Sequence, residues 1–300
     1  MKSLFITSLV LLSLGAHANE SAIEFPTQSE NYNFEGIVAL DNCSGAIFRT
    51  SASRATDPAL VMTNGHCLEF GMPNPGVVVT DKPSTRRFGV EDPKTSEILG
   101  SVHARKVMYS TMTTTDLTVY VLEESYADIF AKFKVRPFML ANRYPKIGEP
   151  INIISGYHHN GYTCKVDAII PTLLEAEWTM HESIRFTPEC KPIHGTSGSP
   201  IISRETGEII GINNTGNDDG EMCTMDNPCE VSADGKKTVH QGIGYGEQTN
   251  WLFPCMATAT DVDLNRKDCR LPRDSKSVRN YSGRTFSSKH KNADVPRYRF

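Results

Sequence analysis

Short apolar runs punctuate the chain from residue 36 onward. They read GIVAL (36–40), GAIF (45–48), ALVMT (59–63), GVVVT (76–80), LTVYVL (117–122) and INIIS (151–155). KVDAII (165–170), SIRFT (183–187), PIIS (200–203), EIIGI (208–212) and VHQGIGYG (239–246) follow. The runs are of strand length, rich in β-branched residues, and separated by Gly, Pro, Asn and Asp. Such runs bounded by turn formers predict an all-β barrel or sandwich. Only YADIFAKF (126–133) has a helical spacing, and it is short. No internal repeat is present. The turn-rich joint ANRYPKIGEP (141–150) splits the strands into two groups of comparable size, which predicts two packed β-domains.

The ends of the chain depart from this pattern. Lys2 precedes an apolar stretch from Leu4 to Leu14, and Ala16-His17-Ala18 then supplies an A-x-A cleavage site. That is a secretory signal peptide over residues 1–18, removed after Ala18, and it predicts a secreted or periplasmic protein. A membrane anchor would need about 20 apolar residues, and no later stretch approaches that length, so no transmembrane segment is expected. Residues 270–300 carry nine Lys/Arg against Asp274 and Asp294, although the whole chain has a net charge of −4. The segment lacks periodicity and reads as a flexible basic tail, with attraction to an anionic surface as the sharper alternative.

Composition adds two constraints. Hydrophobic residues make up 39% of the 300, enough for a sizeable core. The eight cysteines all lie outside the signal segment, which fits an oxidising compartment and four disulfides. Their spacing does not suit zinc, so no metal or other cofactor is expected.

Candidate chemistry begins at KPIHGTSGSPII (191–202), where a Gly-Ser cluster by itself marks only a loop. A nucleophile there needs a base and an orienting acid elsewhere. In ALVMTNGHCLE an apolar strand runs into Thr63-Asn64-Gly65-His66-Cys67, and a Cys43–Cys67 bridge would pin the histidine backbone. Fifty residues on, Asp116 opens the apolar strand LTVYVL. A carboxylate there is costly to desolvate unless paired. With Asp116 on one ring nitrogen, the other nitrogen of His66 is free to deprotonate a serine. Other polar groups carry less. His158 and His159 are adjacent and read as an exposed loop, and Asp218 and Asp219 lack the spacing of a calcium loop. An α/β-hydrolase elbow fails, because Ser occupies position 199 and only His240 follows as a base, in an expected strand.

CSGAIF, TNGHC, DLTVYVL and GTSGSPII, in that order, resemble the successive signatures of trypsin-like, chymotrypsin-fold serine peptidases. The form G-x-S-G-S-P is similar to that of secreted bacterial members. The resemblance implies two packed six-stranded antiparallel β-barrels, here residues 30–140 and 141–260, with the active site between them. It implies His66 as general base, Asp116 as its orienting acid and Ser197 as nucleophile, with Ser199 a structural neighbour. Gly195 and Ser197 would supply the oxyanion-hole N–H groups, and a Cβ at position 195 would crowd the substrate. By position, Lys191, Asn213, Asn214, Thr215 and Gly216 would line the substrate site, with Gly242 and Gly244 leaving room for a side chain.

Several positions depart from the family pattern. Asn213 stands where glutamate-specific members have a histidine, and Lys191 stands where trypsin-like specificity needs an acid. Thr196 replaces the aspartate that receives a freed N-terminal amine in zymogens, so removal of the signal peptide is expected to suffice for activity. The remaining bridges are expected as Cys164–Cys190 by hairpin register, with Cys223–Cys229 and Cys255–Cys269 by proximity. The family alternative joins Cys190 to Cys223. The sequence thus predicts an exported serine endopeptidase acting on proteins or peptides, with no nucleic-acid partner. A catalytically silent homologue used for binding or adhesion, and an esterase that keeps the triad, are the rivals.

Overall fold

A computed structural model describes residues 32–273. The signal segment and most of the basic tail lie outside the described residues. The first half holds β1 (Ile37–Ala39), β2 (Ser44–Arg49), β3 (Pro58–Thr63), β4 (Val78–Pro83), β5 (Arg87–Glu91), β6 (Ile98–Thr111) and β7 (Leu117–Ser125). Helix α1 (Tyr126–Phe133) and β8 (Phe138–Met139) lead to the joint. The second half holds β9 (Pro150–Ser155), β10 (Asn160–Glu175), β11 (Trp178–Phe186), β12 (Pro200–Ser203), β13 (Ile209–Gly216), β14 (Cys229–Val231), β15 (Lys237–Thr238) and β16 (Gly244–Gln248). The chain then forms α2 (Leu252–Cys255), β17 (Met256–Thr258) and β18 (Asp261–Val262).

Pairing closes each half on itself. The order β1-β5-β6-β7-β3-β2 returns to β1, and β9-β10-β11-β16-β13-β12 returns to β9. Each ring is a six-stranded antiparallel barrel, and closure removes the free edges that an open sheet would expose. The remaining strands hang on these rings: β4 on β6, β8 parallel to β2, and the β14–β15 hairpin on β10.

Unbroken apolar runs follow from burial on both strand faces. In β7, Leu117, Val119 and Val121 pack into a cluster that also takes Ile154, Ile202, Ile209 and Ile212 from the second barrel. Tyr120 and Leu122, on the other face, join Ile47, Val61, Phe88 and Val107 in a cluster of first-barrel residues. Helix α1 covers the latter cluster with Tyr126, Ile129 and Phe133. A reciprocal cap starts it: Ser125 Oγ accepts from Asp128 N at 3.1 Å, while Ser125 N donates to Asp128 Oδ2 at 3.0 Å.

Besides short elements such as α2, β8, β14, β15, β17 and β18, three features differ from the sequence expectation. Strands β5 and β6 were not foreseen, because the first half of β6 is half-exposed and interrupted by Gly100, His103, Arg105 and Lys106. His240 lies in the coil before β16 instead of in a strand, with Nε2 3.6 Å from Glu230 Oε2. The start of the basic tail is docked: Leu271 is buried in the shared core, and Arg270 makes a two-pronged bond to Glu182 at 2.8 and 3.0 Å. The Arg270 guanidinium also stacks 4.3 Å from the Trp251 ring, so charge pairing and stacking anchor a residue that composition assigns to a tail.

Four disulfides are present: Cys43–Cys67, Cys164–Cys190, Cys223–Cys229 and Cys255–Cys269. The last ties the C-terminal segment back to α2. A clasp joins the barrels beside the seam. The tip of the β10–β11 hairpin meets the segment before Asp116 through Thr114 N to Thr179 O (2.9 Å) and His181 N to Thr114 O (2.8 Å).

Candidate active site

His66 sits in the turn that ends β3. Backbone bonds from Cys67 N to Asn64 O and from Leu68 N to Gly65 O curl the chain there. A Cβ on Gly65 would overlap the Thr111 carbonyl oxygen and stand 2.9 Å from Asp116 Oδ1, so only glycine lets the turn approach so closely. Arg86, with its side chain nearly buried, donates to the Cys67 carbonyl and reaches Asp41 Oδ1 at 2.6 Å and Asn42 Oδ1 at 2.5 Å.

Asp116 is 2% exposed, which makes its partners decisive. Its Oδ1 accepts from His66 N at 3.0 Å, its Oδ2 lies 2.8 Å from His66 Nδ1, and its backbone carbonyl accepts from Asn64 Nδ2 at 2.9 Å. A carboxylate only accepts, so Nδ1 carries the proton and neutral His66 has a free lone pair on Nε2. Burial opposes the imidazolium, but the Asp116 carboxylate and its hydrogen bond, with Glu175 and Asp226 farther off, outweigh it and hold His66 above its ordinary pKa.

Ser197 arrives on a tight turn from the second barrel. Thr196 N donates to Ile193 O at 3.1 Å, and Gly195 at the third position has φ +87°. An i to i+3 bond with positive φ at i+2 marks a type II turn, which favours glycine there. A Cβ at position 195 would also be crowded by the protein's own atoms. It would stand 2.6 Å from Tyr157 Cδ1 and 2.9 Å from His158 Nε2, in the β9–β10 turn.

The turn abuts the start of β2: Ser44 N donates to Ser197 O at 2.8 Å, and Thr63 Oγ1 donates to Ser44 O at 2.8 Å. The ring of His66 lies against the Cys43–Cys67 sulfurs, with its nearest nitrogen and both Sγ atoms within 4.8 Å of one another. The residues bearing His66 and Ser197 therefore meet at one seam. Ser197 Oγ donates to the Asn214 carbonyl at 3.3 Å and is partly exposed, whereas Ser199 is fully buried.

The strand expected to line the substrate site is β13, which borders this seam. Asn213 Nδ2 donates to Thr196 Oγ1 at 3.1 Å, and Asn214 Nδ2 to Glu247 Oε1 at 3.3 Å, so both side chains turn inward. The register against β16 slips at Asn214, a bulge that leaves Thr215 and Gly216 partly exposed. Lys191 is exposed, just before Pro192. Open space surrounds Gly242, while a Cβ on Gly244 would press on Phe186 and Pro192.

Sequence reasoning missed two buried acids near the site. Glu247 Oε1 also accepts from Ser183 Oγ at 2.9 Å, and Oε2 has no hydrogen-bond partner. Burial, with Asp116 nearby, pushes the Glu247 carboxyl well above its ordinary range despite those two bonds. Burial likewise raises Glu175, whose Oε1 accepts from Asp226 N at 2.9 Å, to about 7. Glu175 follows two leucines in LLEAE and Glu247 sits in GYGEQT, and neither segment has a periodicity that marks its acid as buried.

Two closed antiparallel barrels with these turns in their seam define a chymotrypsin-like fold. Residues 43–212 match the trypsin-like peptidase domain, more than half of the chain, and the protein belongs to that family. Among solved structures, it is similar to the active form of the Rv3671c protease from M. tuberculosis, at 11% identity over 85% of this chain and 96% of that one, TM-score 0.47. It is similar to Nocardiopsis protease at 15% identity, over 73% of this chain and 94% of that one, TM-score 0.42. Mouse neuropsin is 17% identical over 73% of this chain and 93% of its own, TM-score 0.42. No curated protein matches the chain.

Proposed function

We propose that the protein is an exported serine endopeptidase in which His66, Asp116 and Ser197 act as the triad. The observation that carries this reading is the Asp116–His66 pair at 2.8 Å, its carboxylate buried, at the same seam as the partly exposed Ser197, whose Oγ turns from the Asn214 carbonyl to reach Nε2. His66 Nε2 takes the Ser197 proton as Oγ attacks the scissile carbonyl, and it then returns that proton to the leaving amine. Asp116 holds the tautomer and stabilises the imidazolium. The Gly195 and Ser197 N–H groups receive the oxyanion. The carbonyl of Asn214 and the partly exposed Thr215 and Gly216 are where substrate backbone would run, and Lys191 disfavours a basic side chain at the cleavage site.

Activity without a zymogen step follows from the same region. Thr196 is 1% exposed, is engaged by Asn213, and has no carboxylate to pair with a buried ammonium. GIVAL forms strand β1, paired with both β2 and β5, instead of a releasable N-terminus. The four disulfides support an oxidising, extracytoplasmic location, and among the described residues no helix is long and apolar enough to cross a membrane.

A fluorophosphonate probe on the protein lacking residues 1–18 tests the assignment. Label is expected on Ser197, with none on Ser199, and Ser197→Ala should lose labelling and about 10⁴-fold or more in kcat with the fold intact. Label persisting in Ser197→Ala sinks the nucleophile assignment. An unreactive wild type favours the silent homologue, and turnover of esters but not of a peptide library favours the esterase.

A further inference from the structure

Among the described residues the Ile193–Thr196 turn has no buried ion pair, only an exposed contact of His194 Nε2 with Asp218 Oδ2 at 2.7 Å, yet the proposed reaction depends on the direction of its peptides. Ser44, the first residue of β2, lies behind it. Its side chain is fully buried, and its Oγ lies 3.3 Å from Gly195 O, 3.1 Å from Tyr157 N and 2.9 Å from Ser155 Oγ. Ser155 Oγ in turn accepts from His158 N at 3.2 Å.

Proton counting gives these bonds a direction. A carbonyl only accepts, so the single Ser44 hydroxyl proton goes to Gly195 O. Ser155 then donates to Ser44, and His158 N–H donates to Ser155. Every proton is used once and the buried hydroxyls are satisfied. The neighbouring carbonyl is held as well: His158 Nε2 lies 2.6 Å from His194 O, and this nitrogen must be the donor. A trans peptide is planar, with its N–H opposite its C=O. Anchoring the His194 carbonyl therefore sets where the Gly195 N–H points.

We propose that Ser44, Ser155 and His158 are positioning residues that aim the Gly195 N–H at the substrate carbonyl, a neutral relay across the barrel seam in place of an internal ion pair. The proposal rests on the peptidase reading above. It gives a role to the β9–β10 turn, whose paired histidines look like an ordinary exposed loop in the sequence. Tyr157, in the same turn, walls off the Cβ position of Gly195.

The test compares wild type, Ser44→Ala, Ser155→Ala, the double variant, His158→Ala and His158→Gln on one peptide substrate and one peptide boronic acid. The boronate forms a tetrahedral adduct that needs the N–H donors. Removing an oxyanion donor outright costs about 10²–10³-fold in kcat. Misaiming one by Ser44→Ala should cost about tenfold or more, with KM within about threefold. Boronate affinity should fall in proportion, while the acid limb of the pH profile stays in place because His66 and Asp116 are untouched. The double variant should lose no more than Ser44→Ala, since the hydroxyls act in series. His158→Ala, on a more exposed turn and without risk to the core, should also lower kcat, and His158→Gln, which keeps an N–H donor, should recover most of it. Unchanged kcat in both Ser44→Ala and His158→Ala overturns the proposal, as does a loss of kcat without loss of boronate affinity. A wild type that neither turns over nor labels overturns the peptidase reading as well, so the two failures are distinguishable.

Discussion

The two turns that meet in the seam are built by opposite means. The His66 turn is held by a covalent bridge from Cys67 to Cys43, by the Arg86 guanidinium on the Cys67 carbonyl, and by a buried carboxylate on both the His66 backbone and ring. The Ser197 turn has no such buried charge, and its contact to an acid, His194 Nε2 to Asp218 Oδ2, lies exposed on its outer side. Thr196, Ser44 and Ser155 hold it with hydroxyls and backbone groups drawn from both barrels. A charge-assisted bond is roughly twice as strong as a neutral one, so the first turn is rigid by itself. The second depends on how the barrels sit against each other. The proposed reaction requires a fixed base and an aligned receiver, and each would be fixed by a different kind of force.

The largest expected effect attacks the charged side. Asp116→Asn keeps the shape but presents an amide to Nδ1, which favours the wrong tautomer, and kcat should fall about 10⁴-fold near neutral pH. A loss below tenfold, measured with the same peptide substrate, would mean that Asp116 does not orient the base. Next, the two glycines should separate stability from activity. Gly65→Ala forces a Cβ into the Thr111 carbonyl and should cost about 1–3 kcal/mol of stability, visible as a lower Tm. Gly195→Ala meets the half-exposed Tyr157 ring, which can swing aside, and strains a positive-φ position by about 1 kcal/mol, so its Tm loss should be the smaller and its main effect should be on kcat. Equal Tm losses in both variants would erase the contrast between the turns.

Acidification probes the base directly. His66 is held above its ordinary value of 6.5, so kcat/KM should fall as pH drops through a pKa above 6.5, where protonation removes the Nε2 lone pair. A rate flat from about pH 5 to 8 would argue against a histidine base. The smallest effect concerns the wall behind the site. Glu247 keeps its proton when folded and loses it when unfolded above its ordinary value near 4.5. Its burial therefore makes the protein less stable as pH rises above 4.5, until the raised folded pKa is passed. Glu247→Gln retains an acceptor for Ser183 and Asn214 without that penalty. Its urea midpoint should match wild type near pH 4 and exceed it near pH 8. A pH-independent difference would mean that Glu247 is ionised in the folded protein.

Much of this arrangement is legible in the sequence. ALVMT and LTVYVL read as strands because both faces are buried, which leaves an unbroken apolar run. His66, Cys67 and Asp116 stood out because a charged or reactive residue at the end of such a run is costly without a partner. Strand β6 escaped notice because its first half is partly exposed and carries polar residues. Arg270 was assigned to the tail by composition, whereas its partners, Glu182 and Trp251, come from distant parts of the chain.

The sequence alone determined the local units: strand-length apolar runs, the short helix at 126–133, the positions of the cysteines and the order of His66, Asp116 and Ser197. Those properties depend on neighbours along the chain, where propensity and burial leave a period that can be read. Only the tertiary structure decided that Ser44 meets Ser155 and Gly195, that His158 reaches the carbonyl before Gly195, and that Glu247 lies beneath Asn214. Bonds such as Ser44 to Ser155 join residues 111 positions apart. A hydrogen bond is satisfied by direction and distance in space, and packing two barrels together sets both.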